Sequence, residues 1–374
     1  MIHILADKNI FQLEKFLPET VNYTLFDPNN ALPDDFSPYS AMLIRTVTRI
    51  NKHTFAGIPD NLTFIGTASS GTDHVDIPYL QSNNITFSSA AGCNARAVAE
   101  YIATAIILWG ESRSKDITKY TVGVIGVGHV GSVVNELLTK TGLNTVLYDP
   151  PRELRDPAFT SASLPGVMDS DILTFHVPLE TAGQFATYHW LNEAKLNNRE
   201  YKLVINASRG GVVDEYVITG QLRIGNIGDY IFDVWENEPS FSVEIAENAF
   251  IATPHIAGYS YQAKQNATRM ICNAMLDHFG LTVSNSDINH ENLITPDLKN
   301  ASSLSNILTS IHPIRDYDHK LREICQLPEN KRGQAFRDLR TGHPYRMEYP
   351  QIYLPVTVLK KYPVLEKLGI KSRA

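Results

Sequence analysis

The sequence predicts an α/β protein with two doubly wound parallel-sheet domains, followed by a small α+β domain at the C-terminal end. Two patterns point to this class. Short apolar runs alternate with helix-like stretches along most of the chain, and a G-x-G-x-x-G segment directly follows one of these runs. The length of 374 residues also fits two or three domains at roughly 150 residues each.

The composition is that of an ordinary globular enzyme, with 43% hydrophobic residues, 20% charged residues and a net charge of −7. This acidic balance argues against a general nucleic-acid-binding protein. Cys93, Cys272 and Cys325 are too few for a disulfide scaffold, and without a C-x-x-C pair they predict no metal site. The N-terminus lacks the features of a signal peptide, and the longest apolar run is too short to span a membrane, so we expect a cytoplasmic protein.

The first predicted array lies in the N-terminal part of the chain. Its apolar runs predict strands at 2–6, 41–44 and 63–66, and a helix is predicted near 11–17. In parallel sheets, ligands bind at the carboxyl ends of the strands. Arg45 and Thr46 follow the second of these strands, and Ser69 lies in the small-residue loop after the third. We therefore expect the substrate near these three residues.

The second predicted array begins after a long buried helix at 95–109. Its strands are predicted at 121–125, 146–148, 172–175, 203–205, 231–232 and 250–252. A further helix is predicted at about 261–279, a polar linker at 281–303, and a strand within the C-terminal unit at 351–358. The spacing is typical of a second doubly wound sheet.

The segment Gly126-Val127-Gly128-His129-Val130-Gly131 joins an apolar strand to a helix-like run. In a dinucleotide-binding turn, the first glycine permits a tight turn, the second lets the backbone approach a pyrophosphate, and the third allows close helix–strand contact. Asp149 ends the next strand, where an acid usually binds the adenosine ribose and disfavours a 2′-phosphate. The segment predicts NAD as the cofactor, against the alternative of glycines that serve only a tight turn.

Polar residues follow three later strands of this array, and they include Arg209, Glu238 and His255. A histidine near neutral pKa can accept the hydroxyl proton as hydride leaves an alcohol carbon. A glutamate beside it fixes the tautomer, and an arginine can hold a carboxylate through two hydrogen bonds. Each residue taken alone has a structural alternative, such as a turn or a strand cap. Together with the glycine segment, they indicate hydride transfer from a hydroxy acid.

At this point the sequence resembles the D-isomer-specific 2-hydroxyacid dehydrogenases over about residues 1–280. The resemblance rests on an N-x-x-R-G-x-x-V-D-E segment at 206–215, a D-V-W-E-x-E-P segment at 233–239 and the H-I-A-G segment at 255–258. It implies that Arg209 binds the substrate carboxylate, that His255 is the acid/base and that Glu238 is its partner. It also implies a flavodoxin-like substrate domain and a Rossmann NAD domain.

Within the family, several loops are similar to those of members that oxidise 4-phospho-D-erythronate to (R)-3-hydroxy-2-oxo-4-phosphooxybutanoate on a route to pyridoxal 5'-phosphate. These loops include 44–48, 71–76 and 91–95. The closer resemblance implies that Thr46, Ser69 and Tyr259 contact the substrate. It also implies a set of residues that contact NAD: Gly126, Gly128, His129, Val130, Gly131, Asp149, Val177, Ala207, Ser208, Asp233 and Gly258. Since Val177 stands where the family usually has threonine, only a backbone contact is expected there.

The resemblance implies a discontinuous substrate domain at 1–95 and 256–285, an NAD domain at 96–255 and a C-terminal dimerisation domain at 286–374. Residues 301–374 hold thirteen Lys and Arg but only seven Asp and Glu. This basic segment either reaches a neighbouring active site, through Arg346 or the pair at 331–332, or forms a solvated face. Arg45 is equally a candidate to bind the substrate phosphate and a structural salt-bridge partner.

Two alternatives keep the fold and change the function. One is another D-2-hydroxyacid dehydrogenase, such as one acting on 3-phosphoglycerate. The other is a non-enzymatic, NAD-sensing corepressor, which an intact Arg–Glu–His set does not exclude. The expected partners are a phosphorylated hydroxy acid and a second copy of the chain, with no nucleic acid and no membrane.

Overall fold

A computed structural model describes residues 2–55, 57–281, 294–296, 298, 303–342 and 344–373. The chain divides into two compact units: the first combines Met1–Asn94 with Tyr261–His290, and the second combines Ala95–Ser260 with Glu291–Ala374. The linker predicted at 281–303 lies largely outside the described residues.

The strands, in chain order, are β1 (Ile2–Asp7), β2 (Val21–Phe26), β3 (Ala41–Ile44), β4 (Phe64–Thr67), β5 (Thr86–Ser89), β6 (Thr121–Ile125), β7 (Asn144–Tyr148), β8 (Ile172–Phe175), β9 (Tyr201–Asn206), β10 (Ile227–Phe232), β11 (Ile251–Ala252), β12 (Tyr353–Pro355) and β13 (Lys371–Arg373). The helices are α1 (Ile77–Ser82), α2 (Ala95–Ser112), α3 (His129–Thr141), α4 (Pro150–Glu153), α5 (Leu164–Met168), α6 (Glu193–Leu196), α7 (Glu215–Arg223), α8 (Val243–Asn248), α9 (Tyr261–His278), α10 (Leu304–Ile311), α11 (Ile314–Cys325), α12 (Glu329–Thr341), α13 (Val356–Lys361) and α14 (Val364–Lys367).

The first unit is built on a parallel sheet with the strand order β2-β1-β3-β4-β5, which is the flavodoxin-like order. The predicted strands β1, β3 and β4 are confirmed. The sequence missed β2 and β5, because these edge strands are partly exposed and carry polar residues. The predicted helix at 11–17 is wrong. Only a single 3-10 turn forms at Leu13–Lys15, since Gln12 adopts a left-handed conformation and Pro18 disfavours a helix before it.

The second unit contains a parallel sheet with the order β11-β10-β9-β8-β6-β7. All six predicted strands are confirmed, with small shifts at their ends. The order reverses between β6 and β8, so the turn after β6 lies at the topological switch point, where such sheets bind ligands. The predicted helix at 95–109 is α2, which extends to Ser112 and is buried along almost its whole length because it packs against α3 and belongs to the same hydrophobic cluster as the sheet.

The C-terminal segment shares a hydrophobic core with this sheet. Ile307 and Leu308 of α10, Leu354 of β12 and Leu365 of α14 belong to the same buried cluster as strands β6, β8 and β9. The strand predicted at 351–358 is shorter than expected, because Val356 begins α13. The segment is mostly helical, with one small parallel sheet of β12 and β13, so the α+β description is confirmed.

Arg346 does not form a solvated face. Its side chain is 6% exposed, and its Nη1 lies 2.7 Å from Oε2 of the fully buried Glu100 of α2. Its positive charge is therefore neutralised inside its own chain, unlike that of Lys331, which is exposed. Among the described residues, no helix combines the length and the apolar character needed to cross a membrane.

Candidate active site

The glycine segment after β6 has the geometry of a phosphate-binding turn. Gly126 has a φ of +84°, a conformation that glycine adopts without strain. A Cβ on Gly131 would lie 1.9 Å from the Gly126 carbonyl oxygen, so only glycine allows this contact between turn and helix. A Cβ on Gly128, by contrast, would meet no protein atom within 4 Å. The turn is therefore closed on its inner side and open at Gly128.

The open side of the turn is the N-terminus of α3. Gly128 is the N-cap residue, and no side chain caps the first turn of the helix. Gly128 and His129 are exposed. Unpaired backbone N–H groups at a helix N-terminus attract phosphate, so this end of α3 fits a dinucleotide pyrophosphate.

Asp149 lies at the carboxyl end of β7, beside this turn. Its Oδ2 accepts a hydrogen bond of 2.7 Å from the Val127 amide, and its Oδ1 accepts one of 2.9 Å from the Arg152 amide. Arg152 also donates to the Val127 carbonyl oxygen, at 2.7 Å. Asp149 therefore fixes the glycine turn and is half-buried next to it, in the position predicted for an adenosine ribose ligand.

The polar segments that follow β9, β10 and β11 meet at one edge of the sheet, because these strands are neighbours. The prediction that Arg209, Glu238 and His255 lie on segments brought to one sheet edge is confirmed. Two close contacts hold the segments together. A Cβ on Gly210 would lie 1.9 Å from the Trp235 carbonyl oxygen, and the His255 amide donates to the Asp233 carbonyl oxygen at 2.7 Å.

His255 and Glu238 form a hydrogen-bonded pair. The distance from His255 Nδ1 to Glu238 Oε2 is 2.8 Å, and the two side chains are 28% and 19% exposed. Glu238 Oε1 accepts a second hydrogen bond of 2.8 Å from the Trp235 amide. This arrangement leaves the Nε2 side of the His255 ring available for a substrate. His255 also has a φ of +59°, an uncommon conformation for a residue other than glycine and one found at functional sites.

The surroundings keep Glu238 ionised. Burial raises the pKa of Glu238, but the charge and hydrogen bond of His255, the charge of Arg340 and the Trp235 amide together hold it below its usual value. An ionised carboxylate at Nδ1 stabilises the imidazolium that forms when Nε2 accepts a proton. The pair can therefore accept a proton from a substrate in one direction of a reaction and return it in the reverse direction.

Asp233 anchors the loop that carries His255. Its carboxylate is buried and accepts hydrogen bonds from the Thr253 hydroxyl (2.6 Å), the Ile256 amide (2.8 Å) and the Ala257 amide (2.9 Å). Burial raises the pKa of Asp233, while the positive charge of His255 and these donors act in the opposite direction. The sequence predicted Asp233 as an NAD contact; in the described structure, its carboxylate orients the 253–257 segment.

Arg209 lies in the turn after β9. Asn206 shapes this turn: its Nδ2 donates to the Arg209 carbonyl oxygen at 2.9 Å, and its Oδ1 accepts from the Ser208 amide and hydroxyl. Ser208 is buried, whereas Arg209 and Ala207 are half-buried. Of the other predicted cofactor residues, Val177 packs against Gly126, and Val130 and Gly258 are half-buried.

The residues predicted in the first unit lie at the carboxyl ends of its strands. Arg45 Nε forms an ion pair of 2.9 Å with Oδ2 of Asp7, whose side chain is fully buried. This contact favours the structural alternative for Arg45. Ser69 Oγ lies 2.9 Å from Thr67 Oγ1, which also lies 2.9 Å from His74 Nε2. Thr46 is exposed in the turn after β3.

Sequence reasoning assigned no role to three residues near these sites. Asp7 ends β1, and its place at the end of a strand could have identified it. Glu215 accepts a hydrogen bond of 2.6 Å from the Glu236 amide and is buried beneath the Glu238 segment. Arg340 comes from α12, and no sequence motif links this helix to the site. In the described part of the chain, no cluster of three or more His, Cys, Asp or Glu residues could hold a metal ion.

Comparisons with known proteins place this geometry in a family. Residues 98–257 match the model of the D-isomer specific 2-hydroxyacid dehydrogenase, NAD binding domain. An erythronate-4-phosphate dehydrogenase from Proteus mirabilis is 35% identical over 337 residues, which cover 87% of both chains. A protein of the same name from Photorhabdus laumondii is 33% identical and covers 99% of both chains.

Solved structures share the fold at lower identity. The D-lactate dehydrogenase from Aquifex aeolicus, complexed with NAD and lactic acid, has a TM-score of 0.58 at 21% identity, covering 74% of this chain and 95% of that one. An NADPH-dependent glyoxylate/hydroxypyruvate reductase from Sinorhizobium meliloti has a TM-score of 0.61 at 20% identity, with 76% and 96% covered. These structures support the fold, and the relatives of higher identity support the family.

Proposed function

Because the chain belongs to the erythronate-4-phosphate dehydrogenases, within the family of D-isomer-specific 2-hydroxyacid dehydrogenases, we propose that it oxidises 4-phospho-D-erythronate with NAD. The product is (R)-3-hydroxy-2-oxo-4-phosphooxybutanoate, a step in the biosynthesis of pyridoxal 5'-phosphate. The observation that carries the proposal is the His255–Glu238 pair at 2.8 Å, which follows strands of the same sheet as the Arg209 turn and the dinucleotide-binding turn.

The oxidation removes two hydrogens from the substrate. NAD bound by this chain would supply the acceptor for the hydride that leaves C2. His255 Nε2 accepts the hydroxyl proton while the C2–O bond becomes a carbonyl, and Glu238 stabilises the imidazolium through Nδ1. The proton then leaves His255 to solvent. In the reverse reaction, His255 returns it to the carbonyl oxygen.

Arg209 is proposed to bind the substrate carboxylate. A guanidinium forms two parallel hydrogen bonds with a carboxylate, which orients C2 towards His255 and polarises the forming carbonyl. Thr46, Ser69 and Tyr259 are proposed to contact the rest of the substrate through their hydroxyl groups. These roles are carried over from the resemblance to the family.

The chain offers a consistent set of residues for NAD. The amides at the N-terminus of α3 would bind the pyrophosphate, with Gly128 leaving room for it, and Asp149 would bind the adenosine ribose. A carboxylate at that position repels a 2′-phosphate, which favours NAD over NADP. The remaining proposed contacts come from His129, Val130, Val177, Ala207, Ser208, Asp233 and Gly258.

The function is tested with purified full-length protein, NAD, 4-phosphoerythronate and a carbonyl trap, while NADH is followed by absorbance. We expect turnover that is lost in His255→Ala. Absence of turnover on this substrate, with clear turnover of 3-phosphoglycerate or D-lactate, would contradict the proposed substrate. NAD binding without turnover on any 2-hydroxy acid would support a corepressor instead.

We also propose a cytoplasmic homodimer in which residues 286–374 form the dimer interface, with a substrate domain at 1–95 and 256–285 and an NAD domain at 96–255. Relatives that cover nearly the whole chain carry this C-terminal part as well. Light scattering of the full chain should give twice the mass of one chain, and a single-chain mass at micromolar concentration would contradict the dimer.

A further inference from the structure

Thr67, Ser69 and His74 form a hydrogen-bonded relay at the carboxyl end of β4. His74 Nε2 lies 2.9 Å from Thr67 Oγ1, which lies 2.9 Å from Ser69 Oγ. Ser69 Oγ in turn donates to the Gly71 carbonyl oxygen at 2.9 Å. Thr67 is fully buried, whereas Ser69 and His74 are half-buried. The partly accessible hydroxyl of Ser69 is therefore tied to a buried hydroxyl behind it.

The backbone around this relay is fixed by the first sheet. Thr67 is the last residue of β4 and pairs with both β3 and β5. The carbonyl oxygen of Ser69 accepts a hydrogen bond of 3.1 Å from the Ala90 amide, and that of His74 accepts one of 2.9 Å from the Ile50 amide. The three side chains of the relay are therefore held in place by their own unit, without help from a ligand.

A single arrangement of protons satisfies all three contacts of the relay. A carbonyl oxygen only accepts, so the hydroxyl proton of Ser69 points to Gly71. Thr67 must then donate its own proton to Ser69, because each hydroxyl has one proton to donate. His74 must in turn donate to Thr67 from Nε2. The donors therefore run from His74 through Thr67 and Ser69 to Gly71.

The environment of His74 agrees with this direction. Burial lowers the pKa of His74 below its usual value; the charge of Asp73 opposes this effect, and that of Arg49 adds to it. Above pH 7 the ring is therefore mostly neutral and has one N–H. The contact with Thr67 assigns this N–H to Nε2.

The direction of the relay decides what Ser69 offers to a ligand. Its proton is used by the Gly71 carbonyl oxygen, and one of its two acceptor positions is used by Thr67. One acceptor position is left. Ser69 can therefore accept a hydrogen bond from a hydroxyl of a ligand, whereas donation to a carboxylate or a phosphate would require it to break its bond to Gly71.

The groups of the proposed substrate differ in their ability to donate a hydrogen bond. Its carboxylate has no proton, and its phosphate is mostly a dianion above pH 7. In the proposed reaction, the proton of the C2 hydroxyl goes to His255. The C3 hydroxyl is then the remaining donor, and it matches the acceptor position that Ser69 has left.

We propose that Ser69 selects a C3 hydroxyl by accepting its hydrogen bond, and that His74 acts through Thr67 as the positioning residue that keeps Ser69 an acceptor. The substrate class is then a 2,3-dihydroxy acid rather than a 2-hydroxy acid without a C3 hydroxyl. The inference rests on the proposed function for the contact between Ser69 and the substrate. The direction of the protons rests on the contacts of the first unit alone.

The direction of the relay is tested without a substrate. In full-length protein labelled with nitrogen-15 at histidine, NMR distinguishes the ring nitrogen that carries the proton from the one that does not. The signals of His74 are identified by their loss in His74→Gln. At pH 8 we expect the proton on Nε2, as the contact with Thr67 requires. A proton on Nδ1 would reverse the relay and overturn the proposal.

The selectivity is tested with pairs of substrates that differ only in the C3 hydroxyl. One pair is 4-phospho-D-erythronate and its 3-deoxy analogue, and the other is D-glycerate and D-lactate. The readout is the ratio of kcat/KM within a pair, since a merely structural defect lowers both members alike. We expect Ser69→Ala to lower this ratio about fivefold, which corresponds to one neutral hydrogen bond. An unchanged ratio would overturn the proposal.

Two further variants separate the role of His74 from that of its bulk. His74→Leu cannot donate to Thr67 and should lower the ratio about twofold to threefold, whereas the amide of His74→Gln can donate and should restore it. If His74→Leu does not fold, His74→Asn takes its place, because its shorter side chain does not reach Thr67. Equal ratios in His74→Gln and the variant that cannot donate would contradict the role of His74.

Ser70→Ala is the matched control, because it removes the neighbouring hydroxyl, which lies outside the relay and 3.4 Å from the Gly92 amide. It should leave the ratio unchanged. Dissociation constants give the same ratio for a pair that is not turned over. Because the NMR measurement and the glycerate–lactate pair involve no phosphorylated acid, failure of the proposed substrate and failure of the relay are distinguishable.

Discussion

Both large sheets carry polar residues directly after their parallel strands, but the charged side chains at these positions have different environments. In the first unit, Arg45 is paired with the buried Asp7, and the Ser69 hydroxyl is bonded to Thr67, a neighbour in the same unit. In the second unit, His255 and Glu238 are paired with each other, and the Glu238 carboxylate is partly exposed, whereas that of Asp7 is fully buried. The comparison supports the proposal that residues of the second sheet carry the acid/base chemistry, whereas the first sheet contributes hydroxyl groups that contact the substrate.

The largest expected effect comes from removing the partly exposed imidazole. His255→Asn should lower kcat/KM for the 2-hydroxy acid by roughly 10³-fold, because the hydroxyl proton loses its acceptor. The affinity for NAD, measured by fluorescence titration, should stay nearly constant. In His74→Asn, which changes an imidazole bonded to Thr67 in the first sheet, the loss should stay below about tenfold. Equal losses in both variants would contradict the division of roles between the sheets.

The second expected effect distinguishes the roles of two glycines in the same turn. Gly131→Ala places a methyl group 1.9 Å from the Gly126 carbonyl oxygen, so we expect a loss of about 3 kcal/mol in the free energy of unfolding. Gly128→Ala meets no protein atom within 4 Å and should fold normally, but its methyl group occupies the space proposed for the pyrophosphate. Urea unfolding measures the stability of both variants, and NAD titration measures their affinity for NAD. Normal NAD affinity in Gly128→Ala would place the pyrophosphate elsewhere.

The third expected effect concerns buried carboxylates and pH. Burial raises the pKa of Glu215 to about 7, so the folded state binds its proton more tightly than the unfolded state does. Protonated Glu215 therefore makes its full contribution to the free energy of unfolding below the pKa that it has in the unfolded state. This contribution is lost as the pH rises through about 7. Glu215→Gln keeps the acceptor for the Glu236 amide and lacks this titration. Between pH 5 and pH 8, the free energy of unfolding of the variant should rise by up to about 3 kcal/mol relative to that of the unmodified protein.

Urea unfolding at the two pH values measures this difference, and a constant difference would show that Glu215 is not protonated in the folded state. Asp7→Asn is the contrasting case from the first sheet. It leaves Arg45 without its buried partner, so we expect the free energy of unfolding to fall by about 2 to 3 kcal/mol at both pH values.

The sequence predicted the strands of both sheets wherever they are buried and apolar, because short apolar runs are seldom found elsewhere in a folded chain. β2 and β5 were missed, since partly exposed edge strands carry no such run. The positions of the turns that carry the candidate residues were predictable: Gly126, Arg209, Glu238 and His255 follow strands that the sequence itself marks, and these strands belong to one sheet.

Contacts made by distant residues were not predictable in the same way. Asp233 is expected to contact NAD, but the sequence did not predict that its side chain also binds the amides of 256 and 257, since this requires the loop to fold back. Arg346 was considered as a residue that reaches a neighbouring active site or belongs to a solvated face, but it pairs with Glu100, 246 positions away in the sequence. Arg340 belongs to the same class, since only the packing of α12 on Pro239 and Phe241 brings it near the site.

The smallest expected effect tests the first sheet directly. Ser69 is proposed to contact the substrate, although its hydroxyl already donates to the Gly71 carbonyl oxygen at 2.9 Å and lies near Thr67. Ser69→Ala removes one neutral hydrogen bond, which corresponds to about 1 kcal/mol, so KM should rise about fivefold with kcat unchanged. Steady-state kinetics separate the two constants. If kcat instead fell tenfold at constant KM, Ser69 would act in the transition state, and the first sheet would share in the chemistry that the comparison assigns to the second.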